Sequence, residues 1–155
     1  RTLRGPWALQ ETGVVSISID VPWREVYDFA HRMQNLPHWA SGLSSGIREH
    51  DGRWFADSPM GEVEVRMSPA NDLGVLDHRV VLPSGLEVYN ALRAMPNGEG
   101  CELAFTIFRQ DAQDDAAFAA DAAHVERDLL AIKALLEGRP AATIHRPSKT
   151  PAGSR

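Results

Sequence analysis

The sequence predicts an α+β domain in which an antiparallel sheet packs against one long helix. Two observations carry this prediction: residues 114–138 show a sustained helical period, and residues 47–110 contain alternating segments separated by turn residues. A third observation is that one more alternating segment, at 14–21, comes before a short helical region. An antiparallel sheet with a single long helix on one side is an α+β arrangement.

The C-terminal helix is predicted to be apolar on one side only. Asp114 is a good N-cap residue, and Gly138 followed by Pro140 is a stop signal. The apolar residues recur at spacings of three and four: Phe118, Ala122, Val125, Leu129, Ile132 and Leu136. A helix of this length is roughly 35 Å long. It therefore needs a broad apolar surface to lie on.

The first strand and two short helices are predicted before the main part of the sheet. Apolar and polar residues alternate cleanly at 14–21, which is typical of a half-buried strand. Pro22 is a natural first residue for a short helix, because its own missing N–H would have no partner there. Asn35 is a suitable N-cap for a second short helix, which contains Trp39.

Six further strands are predicted between residues 47 and 110. The dipeptide Asp51-Gly52 is a strong signal for a two-residue hairpin turn. Segments rich in Gly, Pro, Ser and Asn separate the later strands. The predicted strands cover 47–50, 53–57, 62–67, 75–82, 86–95 and 101–109.

Composition and charge narrow the classes of function. Apolar residues make up 43% and charged residues 24%, as in ordinary soluble globular proteins. No apolar run is long enough for a membrane span, and no secretory signal is recognised. Residues 138–155 hold four basic residues and no acid, so the net charge of −5 leaves a balance of −9 on the rest of the chain. This acidic body argues against nucleic-acid binding as the main activity. The single Cys101 has no internal partner, which favours a cytoplasmic location.

Three regions are expected along the chain. Residues 1–13 form an arm with no sustained period, which Trp7 is expected to anchor in the core. Residues 14–138 form the folded domain. Residues 139–155, rich in Pro, Ser, Thr, Ala and Arg, are expected to form a mobile basic tail.

Several segments together resemble a known superfamily. They are ISI at 17–19, VPWREVYDF at 21–29, NLPHW at 35–39, GVLDH at 74–78, FTIFR at 105–109 and VERDL at 125–129. In this order they resemble the START-like superfamily, also called SRPBCC, and within it uncharacterised bacterial members of the polyketide cyclase/dehydrase-like branch. The resemblance covers roughly 14–137 and implies a helix-grip fold, in which a curved antiparallel sheet wraps around the C-terminal helix and leaves a cavity between them.

The resemblance is more specific for the fold than for the function. The superfamily includes enzymes, lipid carriers and chaperone-like proteins, so membership does not choose between them. Val21 stands where many members have a small capping residue. No catalytic signature of an established cyclase can be carried over to positions of this chain.

His78 and Asn90 are the principal candidate site residues. If Pro83-Ser84-Gly85 is a three-residue loop, His78 lies opposite Asn90, and both share the apolar face of the hairpin. Asp77 then falls on the other, largely solvent-facing side, so an Asp77–His78 dyad is rejected. Two interpretations stay open. Either the pair contacts a ligand, with His78 moving a proton and Asn90 orienting the ring or binding a carbonyl, or the two side chains hydrogen-bond each other and are inert.

Further residues are candidates for lining the cavity, with core packing as the alternative. They are Trp39, Trp54, Met60, Met67, Phe105 and Ala122. The small residues around Ala122 are expected to leave space on the long helix, across from Trp39.

Trp23 is assigned to the core. Asp121 and Glu126 are assigned to the solvated face of the helix. The other histidines show no metal-ligand spacing, so no metal and no cofactor is expected.

The leading functional hypothesis is the binding of a small, mostly apolar or lipid-like molecule in the cavity. The enzyme alternative is a cyclase or dehydratase acting on a polyketide-like or other hydrophobic substrate, with His78 as acid/base and Asn90 as carbonyl partner. A third alternative is a protein-partner or quinone-chaperone module. The choice between a monomer and a homodimer stays open.

Overall fold

A computed structural model describes residues 8–43 and 45–138 of the chain. Seven antiparallel strands form one sheet in the order β1-β7-β6-β5-β4-β3-β2. The elements are β1 Thr12–Ile19, α1 Trp23–His31, α2 Leu36–Trp39, β2 Ile47–His50, β3 Arg53–Ser58, β4 Gly61–Met67, β5 His78–Val81, β6 Glu87–Asn97, β7 Gly100–Phe108 and α3 Asp115–Glu137. Short 3-10 turns, Met33–Asn35 and Ser41–Leu43, flank α2. The curved sheet and the long C-terminal helix form a helix-grip fold, as the sequence predicts.

Helix α3 has the predicted bounds and the predicted buried stripe. The Asp114 carboxylate accepts a hydrogen bond from the Ala117 N–H at 2.8 Å, and Gly138 ends the helix with φ +67°. Val125, Leu129 and Ile132 are buried against the core. The helix packs mainly against β1, which is an edge strand of the sheet.

The N-terminal elements differ from the prediction only at their bounds. β1 begins at Thr12, which pairs with Phe108, two residues earlier than predicted. Pro22 occupies the N-cap position of α1 with an extended ψ of 139°, so the first helical residue is Trp23. Trp23 packs against the core, as expected. Trp7, most of the arm and the tail 139–155 lie outside the described residues.

The hairpin registers match the prediction. Asp51 and Gly52 have φ of 52° and 75°, which is the backbone of a two-residue turn with both central residues in the left-handed region. His78 pairs with Asn90 in the β5–β6 ladder. The predicted cross-strand pair is therefore confirmed, and alternation along the strands places both residues on one face of the sheet.

Strand β5 is shorter than predicted because the ladder is interrupted before His78. The Leu76 N–H still donates to the Leu92 carbonyl at 2.8 Å. The Leu92 N–H does not donate back to the Leu76 carbonyl, as it would in a regular ladder. It donates to Asp77 Oδ1 at 3.0 Å instead, and the Leu76 carbonyl accepts from His78 Nδ1 at 2.9 Å. Two side chains thus satisfy the backbone groups that a regular strand would pair.

The expectation that Asp77 faces solvent is wrong. Asp77 is buried, with the Arg93 guanidinium 3.0 Å from its carboxylate and the Tyr89 hydroxyl donating to it. Burial raises the pKa of Asp77, but hydrogen bonds from Arg93 and Tyr89 outweigh burial, so its pKa lies below the ordinary value. Long side chains on the outer face of the sheet cover this carboxylate, which strand alternation alone does not show.

Candidate functional site

A cavity of about 470 Å³ lies between α2, α3 and the sheet. Ligand pockets are typically about 300–1,000 Å³ in volume, so this one is large enough for a small molecule. Its lining comprises Leu36, Trp39, Ala40, Gly42, Leu43, Ser58, Pro59, Met60, Val63, Val65, His78, Val80, Asn90, Phe105, Asp121, His124, Val125 and Asp128. Met60 and Pro59 are exposed, so they mark the mouth on the side of the β3–β4 turn.

The deep wall of the cavity is apolar. Val63 and Val65 on β4 project from the same face because they are two residues apart, and both are buried. Val80 on β5 and Phe105 on β7 continue this wall across the sheet. Val125 closes it from α3. An apolar molecule that enters is therefore surrounded by aliphatic and aromatic side chains.

His78 supplies an acceptor to this wall. The side chain is only 7% exposed, and its Nδ1 lies 2.9 Å from the Leu76 carbonyl oxygen. A carbonyl can only accept, so Nδ1 carries the proton and Nε2 of the neutral ring is an acceptor. Burial lowers the pKa of His78 below its ordinary value, which keeps the ring neutral. Among the described residues, none hydrogen-bonds to Nε2.

Asn90 supplies donors and a further acceptor beside His78. Its side-chain amide forms no hydrogen bond with any residue in the described part of the chain, although Asn90 is half-buried. His78 bonds to Leu76 rather than to Asn90, so the two side chains do not satisfy each other. The mutually hydrogen-bonded pair that the sequence left open is therefore not formed.

Trp39 has a buried donor without a partner. The ring is 4% exposed, and its buried Nε1–H meets no acceptor within residues 8–43 and 45–138. A buried donor without a partner is destabilising by about 1–3 kcal/mol. Such groups in a cavity lining are often places where a ligand or a rearranged side chain completes the hydrogen bonding.

A polar cluster forms the mouth of the cavity on the α3 side. Asp128 Oδ1 accepts from the Ser41 hydroxyl at 2.7 Å and from the Ser41 N–H at 3.2 Å, and His124 Nε2 lies 3.3 Å from Asp128 Oδ2. Burial raises the pKa of Asp128, and the hydrogen bonds from Ser41 oppose this effect. The cluster attaches the segment after α2 to α3 at the entrance.

The sequence prediction missed this mouth. Asp121, assigned to the solvated face of the helix, is half-buried and lines the cavity together with His124 and Asp128. Positions 121, 124, 125 and 128 have the spacing of one helix face, so the sequence already indicated that these residues lie together. Charged residues next to an apolar stripe usually face water, which is why Asp121 was assigned to the solvated face.

The structure separates some of the other predicted ligand residues. Trp39, Met60, His78, Asn90 and Phe105 lie together in the cavity lining. Trp54 and Met67 instead line a second pocket of about 560 Å³, next to the end of α1. Ala122 is half-buried against the core and is not among the cavity-lining residues. Val125 occupies the place on α3 that the sequence assigned to Ala122.

The low pKa of His78 predicts a dependence of stability on pH. Below about pH 6.5 the unfolded state binds a proton at this residue that the native state does not, so stability falls as pH decreases. We expect the free energy of unfolding of the native protein to fall relative to that of a His78→Gln variant. The difference should change by about 1 kcal/mol for each pH unit below about 6.5.

Urea unfolding at a series of pH values measures this difference. His38→Gln is the matched control, because it makes the same replacement at an exposed histidine. Parallel pH profiles for the native protein and His78→Gln would contradict the predicted neutral state of His78.

Comparisons with known proteins agree on the fold. No protein-family model matches the chain, and a search of curated proteins finds no match. Among solved structures, an uncharacterised protein from Bacillus thuringiensis has a TM-score of 0.65 at 13% identity, covering 82% of this chain and 99% of that one. The dimeric Aha1 from Colwellia psychrerythraea has a TM-score of 0.62 at 14% identity, covering 82% and 96%.

A third similar structure is DynU16, described as a protein in the dynemicin biosynthetic locus. It has a TM-score of 0.62 at 16% identity, covering 84% of this chain and 49% of that one. Among the described residues, no helix is long and apolar enough to cross a membrane, and no group of three His, Cys, Asp or Glu side chains is placed to hold a metal ion. At these identities the likeness establishes a helix-grip α+β fold.

Proposed function

We propose that the protein binds a small, mostly apolar molecule in the cavity between the sheet and α3. The observation that carries this proposal is the combination of an apolar wall with polar atoms that no described residue satisfies. These atoms belong to His78 and Asn90. A protein interior normally pairs its polar groups, so unpaired ones in a cavity favour an external partner.

The two side chains define the polar group that such a molecule should carry. His78 Nε2 accepts from a hydroxyl, and the Asn90 amide donates to a carbonyl or accepts from the same hydroxyl. The remaining lining offers mainly dispersion and hydrophobic contacts, from residues such as Val63, Val65 and Phe105. The ligand is therefore an apolar body with one hydroxyl or carbonyl at its buried end.

A neutral fluorescent dye provides the test. We expect N-phenyl-1-naphthylamine to bind with enhanced fluorescence, and 2-(2-naphthyl)ethanol to displace it more effectively than 2-ethylnaphthalene, which lacks the hydroxyl. One neutral hydrogen bond is worth about 0.5–1.5 kcal/mol, so the alcohol should bind roughly threefold to tenfold more tightly. Asn90→Leu should reduce this preference, since the amide is replaced by an apolar group of similar size.

The matched pair of competitors is itself the control, because both molecules have the same apolar body. Equal affinities in the native protein would show that His78 and Asn90 do not meet the ligand. The dye failing to bind at all would contradict the cavity hypothesis and leave the protein-partner or quinone-chaperone alternative.

A second candidate function is a cyclase or dehydratase reaction on a polyketide-like or other hydrophobic substrate. The specific observation in its favour is that His78 is neutral, with Nε2 available as a general base. The similarity to DynU16, a protein in the dynemicin biosynthetic locus, is compatible with such a substrate. Turnover lost in His78→Gln while dye binding persists would favour the enzyme over a carrier.

A further inference from the structure

The lining of the cavity carries acidic side chains, whereas a carboxylate-binding pocket needs positively charged ones. Asp121 and Asp128 both line the cavity. Among the described residues that line it, none is a lysine or an arginine. A carboxylate or phosphate entering this mouth would meet two like charges and no lysine or arginine.

The two acids are not equivalent. Asp128 is already occupied, because it accepts two hydrogen bonds from Ser41 and contacts His124. Asp121 is half-buried, and within the described part of the chain it forms no hydrogen bond or ion pair. A half-buried carboxylate that faces a cavity without a cationic partner favours the approach of a positive group.

A second polar group that lines the cavity also lacks a partner. His78 is 7% exposed and lines the same cavity, and none of the described residues hydrogen-bonds to its Nε2. The unsatisfied acceptor is on the sheet, whereas Asp121 is on α3. A single ligand that meets both must have a neutral polar group at one place and a basic group at another.

We propose that the cavity selects molecules that carry a basic amine and discriminates against carboxylates, with Asp121 pairing with the ammonium group at the mouth. This inference rests on the proposed small-molecule function and names the chemical class of the ligand. The ligand is an apolar amine whose ammonium group stays near solvent while its body fills the space between α3 and the sheet. Partial solvent exposure at the mouth limits the desolvation of both charges.

Three competitors with the same naphthalene body test the charge preference: 2-(2-naphthyl)ethylamine, 2-ethylnaphthalene and 2-naphthylacetate. Each displaces N-phenyl-1-naphthylamine from the native protein near neutral pH. A partly exposed ion pair is worth up to about 1 kcal/mol, so we expect the amine to bind about fivefold more tightly than 2-ethylnaphthalene, which has no polar group. The carboxylate should bind more weakly than the amine, and high salt should reduce both differences.

Variants with one charge removed assign the preference to a residue. In Asp121→Asn the ratio of amine to 2-ethylnaphthalene affinity should fall towards one. Glu126→Gln is the matched control, since Glu126 is half-buried on the same helix and does not line the cavity, so its removal should preserve the ratio. Circular dichroism checks that both variants retain the fold.

The outcomes separate this inference from the proposed function. Dye and 2-ethylnaphthalene binding without a preference for the amine would overturn the charge selection and leave the small-molecule function standing. A preference that persists in Asp121→Asn would overturn the role of Asp121. If none of the three compounds and no dye binds, both proposals are overturned together.

Discussion

Replacing Gly74 by alanine should lower the free energy of unfolding by more than about 3 kcal/mol, which is near the upper end of single-residue effects. Gly74 has φ +73°, and an added Cβ would lie 1.9 Å from the Ala94 carbonyl oxygen. The left-handed backbone alone disfavours a side chain by about 1–2 kcal/mol. The remaining loss arises because the neighbouring atom belongs to a backbone that cannot move without breaking other contacts.

The backbone around Gly74 also explains why this position matters for the site. The Ala94 N–H donates to the Gly74 carbonyl at 2.9 Å, which joins the segment before β5 to β6. Movement of this segment displaces Leu76, whose carbonyl accepts the hydrogen bond from His78. We therefore expect Gly74→Ala to weaken dye binding as well as stability.

Gly98→Ala is the matched control for this prediction. Gly98 also has a positive φ, of 56°, but an added Cβ would meet no heavy atom within 4 Å. It should therefore show only the backbone effect of about 1–2 kcal/mol. Urea unfolding of both variants measures the difference, and similar losses at the two positions would contradict the proposed steric clash.

The second large effect is expected from filling the cavity. Val125 is buried on α3 and lines the cavity, so Val125→Trp places an indole in the space assigned to the ligand. We expect the Kd for N-phenyl-1-naphthylamine to rise by a factor of ten or more, since the two ring systems compete for one volume. Overpacking should lower stability by about 1–3 kcal/mol.

Ala123→Trp is the control for cavity filling. Ala123 is exposed on the same helix and does not line the cavity, so the substitution adds the same ring without occupying the site. Val125→Phe, with a smaller ring, covers the case in which Val125→Trp does not fold. Unchanged dye affinity in a folded Val125 variant would show that the dye does not bind between α3 and the sheet.

Local sequence patterns were sufficient to predict the main helices and strands and the pairing of His78 with Asn90. The bounds of α3 follow from a capping Asp114, a terminal Gly138 and an unbroken apolar period. The opposition of His78 and Asn90 follows from the length of the loop between β5 and β6, because side chains alternate strictly along a strand. These signals lie within a few residues of the structure they specify, so they can be read without knowing the rest of the fold.

The composition of the cavity was decided by the tertiary structure. Asp121 and Val125 line it while Ala122 does not, and Trp54 lies in a different pocket from Trp39. The pairing of His78 with the Leu76 carbonyl likewise depends on Asp77 taking the Leu92 N–H. Such details depend on how far the sheet curves away from the helix and on which distant side chains satisfy each backbone group. Both are set by packing among residues far apart in the chain, for which a local pattern carries no signal.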